Sequence, residues 1–359
     1  MSSQFGNKLK ISVYGQSHGK AIGVLIDGLP SGEKIDMDEL NAFMSRRKPG
    51  GKLSTSRKEA DMPVFLSGLT ENTTCGSPLC AMIENGDAHS GDYESIRYTP
   101  RPAHADYTAY VKWAGSADMR GGGHFSGRLT APLCIAGGIA KQILAKKGIF
   151  IGAHLKAAAG IWDESFPLFP DKDMFETIAS KAFPVISDEA GEKMQAKIME
   201  AKEELDSVGG IVECAAIGVP AGFGDPMFDG VENRVAGALF GIPAVKGVEF
   251  GKGFDCAGMR GSENNDPMTV LKDGSISFEK NDAGGILGGI TTGMPIVVRA
   301  AFKPTPSIAK TQRTVDIRDN TKTEISIKGR HDPCIAHRAV PVVEAVMACV
   351  ILDMILEGK

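Results

Sequence analysis

Apolar and polar positions alternate along the chain in two distinct periods. Branched apolar runs between Gly and Pro punctuation predict strands at 11–14, 21–27, 76–84, 148–157, 211–219, 295–302 and 321–328. A helical period appears at 131–147, with Leu133, Ile135, Ile139, Ile143 and Leu144 before the stop at Gly148. It appears again at 341–357, with Val342, Val343, Val346, Met347, Val350, Ile351 and Met354 before Gly358. Both helices are apolar on most sides, which predicts that they are sandwiched between other layers. A third, 187–205, has the single stripe Met194, Ile198, Ala201 and Leu205 among many Lys and Glu, so it should face solvent. A short helix is predicted after Asp36, which stands three residues before Glu39 in capping-box spacing; Leu40, Phe43 and Met44 form its stripe and Pro49 its limit.

Strands do not alternate regularly with helices, no linker divides the chain, and no period of 20 to 50 residues recurs. The pattern therefore predicts one α+β domain over 1–359, a β-α-β sandwich with central helices packed between antiparallel sheets. Strand 295–302 is expected at a sheet edge, available for pairing across subunits. Ala136 to Ile139 is echoed at Ala283 to Ile286, but four small residues in a Gly-rich chain do not establish a duplication.

Composition narrows the class. Of 359 residues, 42% are hydrophobic and 23% charged, a soluble globular balance, and 44 are Gly, well above the roughly 7% usual share. So many glycines suit binding loops. The net charge of −4 excludes a global basic surface for nucleic acid, so any anion site must be local. The polar opening and the absence of a long uncharged apolar run predict a cytoplasmic protein with no membrane association. Seven cysteines without a C-x-x-C pair predict reduced thiols.

Candidate chemistry lies in loops. His18 sits in Gly15 to Lys20 between two strands; the spacing and Ala21 rule out a P-loop. From Arg46 to Lys58 there are six cations, Arg46, Arg47, Lys48, Lys52, Arg57 and Lys58, and no acid. Arg101 to Asp106 includes His104. In 118–128, three glycines separate Arg120 from His124, exposing backbone N–H groups beside Arg120 and Arg128. Residues 329–338 crowd Arg330, His331, Asp332, Cys334, His337 and Arg338 together; H-x-x-C-x-x-H lacks a fourth ligand, so no metal is assigned. The Gly-rich run 281–293 precedes a strand rather than opening a helix, which is not the dinucleotide fingerprint. After that strand, Lys303 to Ser307 could hold a phosphate. Together these features point to a polyanionic ligand and a cofactor phosphate.

In order along nearly the whole chain, these segments resemble the chorismate synthase family. The family pattern G-E-S-H-G stands as Gly15-Gln16-Ser17-His18-Gly19, and R-P-G-H-A-D as Arg101 to Asp106 with Ala103 for Gly. G-R-H-D-P-C and R-A-V-P stand at Gly329 to Cys334 and Arg338 to Pro341, A-G-G-I-L-G-G within Asp282 to Gly289, and K-P-T-x-S at Lys303 to Ser307. The resemblance implies conversion of 5-enolpyruvylshikimate 3-phosphate to chorismate, an anti 1,4-elimination of phosphate without net redox change, dependent on reduced FMN. In the family the reduced flavin donates electron density as phosphate leaves, and its N5 takes the C6 proton. The resemblance implies catalytic roles for His18 at the departing phosphate, His104 at the flavin and Asp332 in proton removal. It implies cofactor contacts from His124, Phe125, Ser126, Pro243, Ala244, Gly288, Lys303, Pro304, Thr305, Pro306, Ser307 and Arg330. Substrate contacts would come from Ser17, Arg47, Lys52, Arg120, Arg128 and Arg338, with NADPH a candidate reductant and a homotetramer, a dimer of dimers, as the assembly.

The chain departs from the family pattern where R-S-S-A-R-E-T becomes His124 to Thr130, where Asn-Ala becomes Pro243-Ala244, where Lys52 stands for a second Arg, and at Ala117. Two other readings compete: an NADPH-linked flavin oxidoreductase using the basic loop for a 2′-phosphate, and an anion-binding homologue impaired in flavin binding.

Overall fold

The computed structural model describes residues 3–50, 53, 61–86, 97–327 and 331–358. Its first sheet contains β1 (Gln4–Phe5), β2 (Lys10–Gly15), β3 (Ala21–Asp27), β4 (Val64–Ser67) and β5 (Leu79–Glu84) in the order β1-β2-β3-β5-β4. The second contains β6 (Phe150–Ala158), β7 (Ile161–Trp162), β8 (Gly210–Ile217), β9 (Val245–Phe250) and β10 (Ile296–Phe302) in the order β9-β10-β8-β6-β7. Every neighbouring pair in both sheets is antiparallel.

The longer α-helices are α1 (Met37–Ser45), α2 (Asp106–Lys112), α3 (Thr130–Ala145), α4 (Lys172–Ser180), α5 (Asp188–Glu203), α6 (Val231–Phe240) and α7 (Ala336–Glu357). Helix α3 packs on the first sheet, α7 on the second, and the two helices pack on each other. The expected sandwich with helices between antiparallel sheets is therefore the observed α+β architecture, and α4 and α5 add a layer on the outer side of the second sheet. Gly137 makes the central crossing possible, since a Cβ there would overlap the backbone of Ala345. The neighbouring Gly138 lets α1 close in, with Leu40 and Phe43 filling the space a side chain would need. Among the described residues α7 alone is long and apolar enough to cross a membrane, and most of it is buried inside the fold.

Several expectations need correction. Strand β10 is not at an edge: it lies between β9 and β8, pairing with both. Its alternating burial along Ile296–Phe302 suits an interior strand with one face turned to the core. Leu205 is not part of the apolar stripe of α5, because the helix ends before it and Leu205 takes φ +61 with its side chain exposed. Helix α7 begins earlier than expected, with Pro341 inside it; one lost backbone hydrogen bond is outweighed by a helix buried along almost its whole length. Asp36 caps α1 as expected, accepting from the N–H groups of Asp38 and Glu39. All seven cysteines are free.

Two buried ionic clusters tie the layers. The Asp353 carboxylate on α7 accepts from the backbone N–H groups of Asn7, Lys8 and Leu9 at 2.7–2.9 Å and from Arg234 of α6 at 2.5 Å. In the second sheet, His154 is fully buried between Asp163 (Nδ1 to Oδ2, 3.1 Å) and Glu213 (Nε2 to Oε2, 3.0 Å). Burial alone would lower the His154 pKa; the two carboxylates overcome it and raise it, while each of them is held low against its own desolvation.

Candidate active site

A cavity of about 770 Å³ opens where the N-terminal end of α7, the loop before α3, the C-terminal end of α6 and the segment after β10 meet. That volume suits a cofactor together with a small substrate. The sandwich brings these segments together although they lie up to about 300 residues apart, as between Arg47 and Arg338.

His104 is fixed by its neighbours. Its Nδ1 lies 2.7 Å from Asp106 Oδ1 and 3.1 Å from Arg101 Nη2. The Asp106 carboxylate only accepts, so at the shorter of the two contacts Nδ1 carries the hydrogen and gives it to Asp106, which leaves Nε2 as the reactive nitrogen, next to Gly122. Arg101 grips the same carboxylate through Nε and Nη2, both at 2.7 Å. Burial opposes ionisation of Asp106, but the hydrogen bonds from Arg101 and His104 outweigh it and hold the carboxyl far below its usual range.

His18 lies against the triple-glycine turn. Gly121, Gly122 and Gly123 all have positive φ, and a Cβ on Gly121 would overlap the His18 imidazole. Ser17 Oγ donates to the Arg120 carbonyl at 3.1 Å, so it accepts from His18 Nδ1, also at 3.1 Å. Arg120 itself turns outward onto Asp118 at 2.7 Å, and this pairing lowers the Asp118 pKa.

Along one wall runs a continuous ionic belt. Arg128 Nη1 and Arg47 Nη2 each donate to a different oxygen of Asp61. Arg338 Nε donates to the Arg47 carbonyl at 3.0 Å, and Arg338 Nη1 donates to Asp332. Burial raises the Asp61 pKa, but Arg47 and Arg128 reverse the effect and hold it low. Elsewhere in the lining, Lys303 donates to the Ala103 carbonyl, and Thr305, Pro306 and Ser307 follow it. Ser307 Oγ accepts from Arg101 Nη1 at 3.3 Å. Desolvation, with Lys246 nearby, lowers the Lys303 pKa.

Of the residues singled out from sequence, the cavity gathers Arg47, His104, His124, Phe125, Ser126, Arg128, Pro243, Ala244, Lys303, Thr305, Pro306, Ser307, Asp332 and Arg338. Ser17 and His18 lie against Gly121, which is part of its lining. Arg120 and Pro304 face away from it, Pro304 toward a second cleft beside α5. Gly288 is exposed, and its neighbour Gly289 packs on Gly230 at the N-terminal end of α6, a helix length from the cavity. Lys52 and Arg330 lie outside the described residues. His124 is tied elsewhere, donating through Nδ1 to the Gly15 carbonyl and accepting at Nε2 from Ser3, both at 2.8 Å. Phe125 packs on Trp113, with ring centroids 5.7 Å apart.

Sequence reasoning passed over Asp61 as a builder of the site, and took Arg101 and Asp106 only as part of the segment around His104. The basic run stops at Lys58, and an acid three residues further on was the available signal for Asp61. Among the described residues no group of three or more His, Cys, Asp or Glu is placed to hold a metal ion.

Imidazoles and guanidiniums converging on glycine-lined backbone in a deep cavity define an enzyme that handles an anionic small molecule. Its family follows from comparison: the family model for chorismate synthase matches residues 9–356. The chain is 50% identical over 352 residues to the chorismate synthase of Pyrococcus abyssi, covering 98% of this chain and 97% of that one. It is 49% identical over 355 residues to that of Thermococcus kodakarensis, covering 99% and 98%. A crystal structure of chorismate synthase superposes with TM-score 0.76 at 26% identity, covering 98% of this chain and 93% of the other. The chain belongs to the chorismate synthase family, a family of lyases.

Proposed function

We propose that this chain, acting as one catalytic domain, converts 5-enolpyruvylshikimate 3-phosphate to chorismate by anti 1,4-elimination of phosphate, with reduced FMN in the cavity. The ionic belt carries this reading. The substrate has two carboxylates and a phosphate, and Arg128, Arg47 and Arg338 present three guanidiniums along one wall.

His18, when protonated, donates from Nε2 to the departing phosphate, its Nδ1–H being held by Ser17. His104 offers Nε2 in a tautomer set by Asp106. Asp332, held by Arg338, assists removal of the C6 proton. Reduced FMN, when bound, supplies an electron-rich ring that assists departure of the phosphate. The cavity suits it: Thr305 Oγ1 is buried with no hydrogen-bond partner among the described residues, beside Lys303 and Ser307 in sequence. Phe125, backed by Trp113, and the Pro243-Ala244 turn add an apolar lining for a flat ring.

An anaerobic assay with dithionite-reduced FMN tests the reading. Chorismate should form only with both flavin and substrate present; no chorismate from folded protein overturns it, and steady NADPH oxidation without substrate would favour an oxidoreductase. The seven free thiols support a reducing, cytoplasmic setting. Self-association as a homotetramer is part of the same proposal, supported by the exposed Met227, Phe228, Phe254, Val270 and Ile276.

A further inference from the structure

Asp61 is a buried acid in a wall otherwise built to attract anions. It is 2% exposed, and its backbone takes φ +46, a left-handed conformation that a non-glycine residue holds only where its surroundings enforce it. Oδ2 accepts from Arg47 and Oδ1 from Arg128, so each oxygen serves one guanidinium. The two arginines come from different elements, the end of α1 and the turn before α3, and line the same cavity. Thr130 Oγ1 lies 3.4 Å from Arg47 Nη1, and Asn85 Oδ1 accepts from Arg128 Nε at 3.2 Å, so both guanidiniums are also steered from the side.

Two like charges meeting in a cavity wall repel, and each long side chain has rotamers that turn it away. A single carboxylate between them removes the repulsion and fixes both planes. We propose that Asp61 is a positioning residue for substrate binding: it holds Arg47 and Arg128 as a pre-set pair of guanidiniums that receives two anionic groups of the substrate. The inference rests on the reading that these arginines bind the substrate. It makes the pair net +1 rather than +2, trading raw attraction for alignment.

Asparagine separates alignment from attraction, because it keeps the shape but can accept with only one oxygen, releasing one of the two arginines. Asp61→Asn should raise KM for 5-enolpyruvylshikimate 3-phosphate by about 10-fold or more, with kcat falling less than KM rises. Asp61→Glu, which keeps both acceptors one methylene away, should recover part of the loss. In an Arg128→Ala background the amide oxygen still serves Arg47, so Asp61→Asn should then change KM by less than about 2-fold. This double variant removes one cation and one anion together, so it carries the test even where Asp61→Asn alone fails to fold. An unchanged or lowered KM in folded Asp61→Asn overturns the inference, as does a full additional penalty in the double variant. If Arg47→Ala and Arg128→Ala both leave KM unchanged, the substrate-binding reading of the arginines fails instead, and the role of Asp61 falls with it.

Discussion

The imidazole of His104 is oriented by Asp106: the 2.7 Å contact from Nδ1 to Oδ1 puts the reactive Nε2 beside Gly122. Removing the ring by His104→Ala should lower turnover by about 10²-fold. Asp106→Asn keeps the ring but turns the acceptor into an amide that no longer enforces the tautomer, so it should retain the fold and still lose much of that rate. Single-turnover chorismate formation measures both, and a wild-type rate in either folded variant removes that residue from the mechanism.

His18 has a more sensitive control in its neighbour. Gly121→Ala puts a methyl where the His18 ring lies, at φ +61, where an L-residue costs about 1–2 kcal/mol. Turnover should fall toward that of His18→Ala while thermal stability drops only modestly. A Gly121→Ala enzyme with normal kcat would show that the place of His18 is not critical.

For Asp332, the isosteric Asp332→Asn exchange tests proton acceptance. It keeps an oxygen for Arg338 but cannot take up a proton, so kcat should fall by at least about 10²-fold with little change in substrate affinity. A raised KM with normal kcat would reassign Asp332 to holding Arg338.

Stability should depend on pH through His154. Its pKa is raised above the ordinary 6.5, so its contribution is fully present below pH 6.5 and is lost as pH rises through the folded value. Asp163 and Glu213 are lowered from 3.8 and 4.5, so theirs is present above those values and lost as pH falls through the folded ones. The cluster, which also includes Lys156 and Arg299, should therefore stabilise most between about pH 4.5 and 6.5. Glu213→Gln should cost about 3–5 kcal/mol and flatten the alkaline limb of a melting-temperature profile. An unchanged alkaline limb would show that His154 does not titrate with folding.

The proposed assembly is checked by mass. Sedimentation at micromolar concentration should give about four times the 37.9 kDa chain. A monomer that still makes chorismate would separate catalysis from association.

What was legible in the sequence was whatever a local period or an unusual loop could reveal. Strand β3 stands within its expected bounds, and α3 and α5 within one or two residues, because branched runs and stripes are local signals. Helix α6 escaped notice although Val231, Val235 and Leu239 are buried at helical spacing, since Gly237 interrupts the run. Helix α2 buries only Asp106 and Ala109, too little to leave a stripe. In the site, the loops around His18, His104 and Asp332 stood out by composition. The Asp61 bridge did not, because it depends on Arg47 and Arg128 meeting across 81 residues of chain. Likewise β10 read as an edge strand because no local pattern says how many neighbours a strand has.

Helix α7 joins the latest and earliest parts of the chain: Asp353 holds the amides of Asn7, Lys8 and Leu9, and Arg338 holds the carbonyl of Arg47. During synthesis the β2–β3 hairpin can form as soon as it emerges from the ribosome. The cavity cannot, since its ceiling arrives about 290 residues after Arg47. Closing so large a loop makes the final docking slow compared with hairpin formation. A chain halted before α7 would thus expose the apolar surfaces of α3 and the second sheet, a natural target for chaperones, and ligand-binding competence should appear in one late step rather than accumulate as the chain grows.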